Sequence, residues 1–193
     1  GRLSVAHMLA RVCAALDEHG WRVESWRVGV GRGNDPTSLA RIACDEGADA
    51  VFVAGGDGSA GAAASVLAGR GVALGILPCG TSNVWARGLG LAAPTHRWSR
   101  ALVHAGLRQV TGVVRNVDVG SCNGHVFLLW AGIGLDGHIT HGIEPRGRAA
   151  KLLGRWYYIV RGVWLARRFR GVSIRLHGEN TVFDHQILGA VVT

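Results

Sequence analysis

At 193 residues, 48% apolar and 18% charged, the chain is long and apolar enough to bury a core, so an acidic solvating tail is excluded; 30 glycines without a Gly-X-Y period exclude collagen. Lys151 is the single lysine among 21 basic residues, so arginine carries the net +8, a surplus that calls for an anionic partner: nucleotide phosphate, nucleic acid or acidic lipid. Cys13, Cys44, Cys79 and Cys122 are too widely spaced for a zinc site or a small disulfide scaffold and read as reduced thiols; with no run of 18 apolar residues, a soluble cytoplasmic protein is expected.

Ser4 can cap a helix in which Val5, Met8, Leu9, Val12, Cys13 and Leu16 recur at helical spacing, with Gly20 as its stop. The run from Trp21 to Val28 offers a strand. Asp35-Pro36 sets a cap before a proline at the first helical position, and Leu39, Ile42 and Ala43 continue that stripe towards Gly47. Ala50 to Ala54 is a short continuous apolar run, as in a strand buried on both faces, and it ends in Gly55-Gly56-Asp57-Gly58-Ser59. An Ala-rich helix, a second buried strand at Val72 to Leu77, the turn Pro78-Cys79-Gly80-Thr81 and a helix from about Ser82 complete a βαβα unit, which implies an open parallel α/β sheet.

Near Val113 the pattern changes. Asp118 to Cys122 and His125 to Leu129 flank Asn123-Gly124, a strong hairpin signal, so antiparallel structure begins here. The reading is an α/β domain over 1–112 and the start of a β-rich domain over 113–193. Arg146 to Gly171 returns to helix, and Val172 to Leu176 and His185 to Val192 resume strands. A start at Gly1 and a stop inside an apolar run lead one to expect a piece of a longer protein.

Two turns carry chemistry. In Gly-Gly-Asp-Gly-Ser the glycines allow φ > 0 and place no Cβ in the way, so backbone N–H groups can converge on a phosphate, aided by the helix N-terminus behind them. Asp57 fits there as a holder of Mg²⁺ through water; the plainer reading is a tight turn capped by Asp57 or Ser59. One strand later the design repeats, with Gly80 in the turn and Thr81, Ser82 and Asn83 offering polar groups; a helix cap is the plainer role for Asn83. Polar turns at the carboxyl ends of neighbouring parallel strands line one crevice, where open α/β sheets bind ligands.

VAGGDGS followed by GILPCGTSNVWAR resembles the catalytic domain of the diacylglycerol kinase and bacterial lipid kinase family, related to sphingosine and ceramide kinases, whose patterns are GGDGT and P-x-GT-x-N-x-x-A-R. DVGSCNGHVFLLWAGIGLDG is similar to the start of that family's second domain, and KLLGRWYYIVRGV to its basic-LG-x-x-Y helix. NAD kinases share GGDGT but lack the second turn. The resemblance implies a NAD kinase/diacylglycerol kinase-like fold: an α/β nucleotide-binding domain, a β-rich lipid-binding domain, and ATP with Mg²⁺ in the cleft between. It assigns Gly55, Gly56, Asp57, Gly58 and Ser59 to the nucleotide phosphates with Gly80, Thr81 and Asn83 opposite, makes Asp57 the catalytic residue, and sets Asp136 against the lipid head group, although Asp136-Gly137 also reads as a turn. Ser59 replaces the family's Thr, Gly61 and Ala62 stand where Asn and Glu are frequent, and Val84 where Asp is; the family's first glycine turn and later acidic segment are missing. The implied activity is ATP-dependent phosphorylation of diacylglycerol or a related lipid; the alternative is a non-catalytic lipid- or nucleotide-binding relative.

Arg146 to Arg170 holds eight of the 21 basic residues and no acid, leaving thirteen elsewhere against the thirteen acids. Beside these charges Leu152, Trp156, Ile159, Val160, Val163 and Trp164 form a helical stripe. Either the helix lies on an anionic membrane surface, reversibly, or it packs on the core with a solvated basic face. No nucleic-acid module accompanies the charge, so nucleic acid is not the expected partner. His138 and His141 lack a third ligand at a convincing spacing, and no metal is assigned to them.

Overall fold

The computed structural model describes residues 5–29, 33–80, 82–91, 98–143, 148–177 and 182–192. They fall into two compact units, Gly1–Leu129 and Trp130–Thr193. Ser4 and Arg146 lie outside the described residues.

The first unit runs α1 (Val5–Glu18), α2 (Pro36–Asp45), β1 (Ala50–Gly55), α3 (Asp57–Leu67), β2 (Ala73–Pro78), α4 (Val84–Gly88), α5 (Trp98–Val110), β3 (Gly120–Cys122) and β4 (His125–Phe127). The stripe expected on α1 is its packing face: Met8, Val12 and Leu16 bury against Leu77 and Leu102. Each such side chain taken from water contributes about 1.5–3 kcal/mol. Asp35 caps α2 as its sequence requires, accepting the N–H groups of Thr37 and Ser38 at 3.0 and 3.1 Å and the Ser38 hydroxyl at 2.6 Å. Those bonds, the Ser38 hydroxyl foremost, hold the Asp35 carboxyl below its ordinary pKa. β1 and β2 pair in parallel from Ala50 opposite Ala73 to Gly55 opposite Pro78. The alanines of α3 allow close packing: Ala63, Val66 and Leu67 bury with Ala40 of α2, and Ala60 with Ile76 and Ala86.

Three expectations are corrected in this unit. Trp21 to Val28 forms no strand: alternation is a local signal, and among the described residues no strand pairs with this run; Trp26 and Val28 stay 46% and 55% exposed. β1 is half-buried along most of its length, with Ala54 exposed, rather than sealed on both faces. Helix α5, unread in the sequence, supplies Leu102 and Ala105 to the core. The hairpin at Asn123-Gly124 forms as expected, both residues taking the positive φ (50° and 78°) of a tight two-residue turn. β4 returns to α3 and Leu128 packs beside Ile76, so this unit continues past Val113 to Leu129.

The second unit contains β5 (Ala131–Gly134), α6 (Leu135–Ile143), α7 (Arg148–Arg168), β6 (Val172–His177), β7 (Val182–Ile187) and β8 (Gly189–Val192). β5 pairs antiparallel with β8, and β6 with β7. The apolar run from His185 divides at Leu188, which is exposed where the chain leaves β7 for β8. Helix α6 was also unread, since Asp136-Gly137 resembles a turn; Asp136 instead sits in its first turn, where a carboxylate suits the helix dipole. A parallel α/β unit followed by a unit of antiparallel strands is the fold class the sequence implies.

Candidate functional site

The two glycine turns emerge from the ends of β1 and β2 and are tied to each other by hydrogen bonds. The Gly55 carbonyl accepts the N–H groups of Cys79 and Gly80 at 3.0 and 3.2 Å, extending the parallel pairing into the turns. Gly80 faces Gly56 so closely that a Cβ on Gly80 would overlap the Gly56 Cα and come within 2.7 Å of Asn83 Oδ1. Only glycine allows this approach.

Asn83 closes the second turn. It adopts a left-handed backbone, φ 46°, which Asn tolerates better than most residues. Its side-chain amide folds back on Gly80, with Oδ1 accepting the Gly80 N–H at 2.9 Å and Nδ2 donating to the Gly80 carbonyl at 2.8 Å. Asn83 therefore stands at the cap position of α4 without capping it through its side chain.

Asp57 does that instead. Its Oδ2 accepts the Val84 N–H and its Oδ1 the Trp85 N–H, both at 3.0 Å, so the acid on the first glycine turn caps the helix that follows the second. The simple alternative, a cap of its own helix by Asp57 or Ser59, is not what forms: the N-cap of α3 is Gly56, with no side-chain bond. The first-turn amides of α3 are thus left without a side-chain acceptor. Ser59 lies against Gly55, where a Cβ would come 2.9 Å from that of Ser59, while Gly58 is exposed with open space beside it.

Gly55, Gly56, Asp57, Gly80 and Asn83 are brought together, and Gly58 and Ser59 follow on the first turn of α3. Thr81 lies outside the described residues. Asp136 belongs to the second unit, exposed, with its carboxylate against Gly132. Cys79 enters the turn half-buried against the α1–α5 core, and burial pushes its thiol pKa up.

Gln109 of α5 was not singled out in the sequence. Its side-chain amide accepts the Ile76 N–H at 2.7 Å and donates to the Ile76 carbonyl at 3.0 Å, and so occupies the edge of β2 that β1 leaves open, just before the second turn. A polar residue four positions after Ala105, on the buried side of α5, is the signal that would have found it.

The backbone donors left without a side-chain acceptor are those of the first turn of α3, whereas the Gly80 N–H is taken by the Gly55 carbonyl and Asn83 Oδ1. A family model for the diacylglycerol kinase catalytic domain matches residues 1–122. A diacylglycerol kinase of Bacillus subtilis (strain 168) is 26% identical over 195 residues, 100% of this chain and 61% of that protein. A probable lipid kinase of Chromohalobacter salexigens is 31% identical over 157 residues, covering 78% of this chain and 48% of its own. The crystal structure of a diacylglycerol kinase from Bacillus anthracis superposes with a TM-score of 0.63 at 20% identity, over 99% of this chain and 61% of that one, and so shares the fold. The chain spans about three fifths of the length of the Bacillus relatives.

Proposed function

Because the chain belongs to the diacylglycerol kinase catalytic domain family, we propose that it is part of an ATP-dependent lipid kinase that transfers the γ-phosphoryl group of ATP to a hydroxyl of diacylglycerol or a related lipid. The observation that carries this reading is the pair of facing glycine turns, tied to each other by Asp57 and the Gly55 carbonyl.

Phosphoryl transfer asks a protein chiefly for positioning and for neutralisation of charge. In this reading Gly55, Gly56, Gly58 and Ser59 present the uncapped start of α3 to the phosphates, with Gly80 and Asn83 across from Gly56; Thr81 is assigned to the same site by the family motif. The residues fit phosphate at the start of α3, where the N-cap Gly56 leaves the first-turn amides without a side-chain acceptor and Gly58 has open space beside it. Mg²⁺, when bound, supplies the positive charge that offsets the developing negative charge on the transferred group. Asp57 suits a water-mediated contact with it, because a carboxylate has about four acceptor sites and two backbone N–H groups take only part of them. Its first task is to position the second turn through the start of α4. Asp136 is assigned to the lipid head group. A cytoplasmic protein that visits the membrane surface belongs to the same reading; among the described residues no helix is long and apolar enough to cross a membrane.

The test is radiolabelled phosphate transfer from ATP by the full-length protein against a panel of lipids. Asp57→Asn is expected to abolish transfer while circular dichroism stays that of the parent. A variant with near-normal rate overturns the assignment of Asp57, and a parent that labels no lipid while binding Mg-ATP in calorimetry favours the non-catalytic relative.

A further inference from the structure

Helix α4 is a single turn of five residues, too short to hold its place by its own hydrogen bonds, and it follows directly on the second glycine turn. Its position therefore has to be fixed from outside. Asp57 fixes its start through the Val84 and Trp85 amides. Beyond its far end Gly90 takes φ 68°, and the Leu91 N–H returns to the Ala86 carbonyl at 2.8 Å. Leu91 and Ala86 bury in one cluster with Ala105 of α5.

The last turn of α5 reaches both flanks of this segment. Gln109 holds Ile76, on the strand that leads into the second turn, by both of its polar backbone groups. Its neighbour Arg108, exposed on the surface, donates from Nη1 to the Gly90 carbonyl at 3.1 Å. Two consecutive side chains thus pin the entry and the exit of the stretch that contains Gly80, Asn83 and α4. The helix that bears them is itself anchored, with Leu102 buried among Val12, Leu16 and Leu77 and with Gly106 so close to α1 that a Cβ there would come 3.0 Å from Val12 Cγ1. The chain turns immediately after Val110, where the Thr111 and Gly112 N–H groups donate to the Leu107 and Gln109 carbonyls at 3.0 and 3.3 Å and so satisfy the end of the helix.

We propose that Arg108 is a positioning residue of the nucleotide site: together with Gln109 it holds the segment from Ile76 to Gly90 so that Gly80 stays against Gly56 and the Asp57 carboxylate stays on the start of α4. The inference rests on the kinase reading and deepens it, giving α5 a part in ATP binding. Arg108 acts through the Gly90 carbonyl and not on the phosphates. If α4 moves away, the Asp57 carboxylate is freed to turn towards the first-turn amides of its own helix, where the dipole favours it and where it would repel a phosphate. A guanidinium suits the task, since its long stem crosses the surface and a charged donor bonds a carbonyl more strongly than a neutral one does.

The experiment uses the full-length protein. Arg108→Met keeps much of the stem and removes the donor at an exposed position, where folding does not depend on it; Arg41→Met removes the same charge from the exposed side of α2 as a control. Without nucleotide, Arg108→Met should speed hydrogen exchange of the Val84, Trp85 and Leu91 amides about three- to tenfold, the weight of one hydrogen bond, while the Ile76 amide, held by Gln109, keeps its parental rate. In calorimetry its Kd for Mg-ATP should rise by about the same factor, and in the transfer assay the KM for ATP should rise with that for lipid unchanged. Arg108→Lys, which restores a donor of similar reach, should recover most of the parental values, and Arg41→Met should change none of them. Parental exchange or a parental Kd in Arg108→Met overturns the proposal, as does a Kd raised equally by Arg41→Met, which would make the effect one of net charge. A parent that binds no Mg-ATP overturns the kinase reading and the proposal together. A parent that binds Mg-ATP but labels no lipid overturns the kinase reading alone, and a raised Kd in Arg108→Met then still supports the positioning role.

Discussion

At the scale of single residues, the site depends on where a side chain is absent. Gly80 meets Gly56 backbone to backbone, so Gly80→Ala forces the two turns apart. Gly61, in the interior of α3, has open space within 4 Å of where a Cβ would stand and no positive φ. The two glycines therefore respond oppositely to the same added methyl group. Gly80→Ala is expected to destabilise the protein by about 1–3 kcal/mol, as overpacking does, whereas Gly61→Ala should stabilise it by about 0.5–1 kcal/mol by restricting the unfolded chain. Urea unfolding of the two variants measures both, and equal shifts of the same sign would refute the close packing. The glycines were legible in the sequence because turn geometry is local. The partner of Asp57 was not: the amides of Val84 and Trp85 lie a helix, a strand and a turn further along the chain, and no local pattern ties an acid to them.

At the scale of elements, the two helices that went unread show what hides an element. Helix α5 carries Gln109 on its buried side, and polar residues weaken an apolar stripe; α6 begins with Asp-Gly, which is turn chemistry until a dipole explains the acid. In the fold Gln109 behaves as one residue of a third strand, meeting both polar groups of Ile76, which is 3% exposed. That bond pair closes the edge of β2 and fixes the strand from which the second glycine turn springs. Gln109→Leu leaves a buried donor and acceptor unpaired, and the expected loss is about 2–4 kcal/mol. Hydrogen exchange locates the effect, since the Ile76 amide should lose protection before those of β6 and β7. A variant with parental stability and an unchanged Ile76 amide would mean that water replaces the side chain there. By contrast, α2 was readable because the Asp35 cap, Pro36 at the first position and the apolar stripe agree within one segment, and α1 because its stripe alone is regular.

At the scale of the whole molecule, chemistry and charge are held in different units. Both glycine turns belong to the unit ending at Leu129, while α7 with its arginines belongs to the other. Each unit has its own strand pairing, β1 with β2 in the first, β5 with β8 and β6 with β7 in the second. A ligand that binds only the native form stabilises what it binds by RT ln(1 + [L]/Kd), about 2.7 kcal/mol at a hundredfold excess over Kd, which is about a hundredfold slowing of exchange for amides released by unfolding. Under the kinase reading, Mg-ATP adds that protection where its phosphates are held. Exchange should therefore slow in β1, β2, α3 and the start of α4, most at Gly56, Gly58 and Gly80, and less or not at all in the β6–β7 pair. Asp57→Ala should reduce the effect, because without its carboxylate the second turn loses its tie to the start of α4. Protection confined to β6 and β7, or protection that survives Asp57→Ala undiminished, would place the nucleotide away from the glycine turns and remove the ground for reading them as a phosphate site.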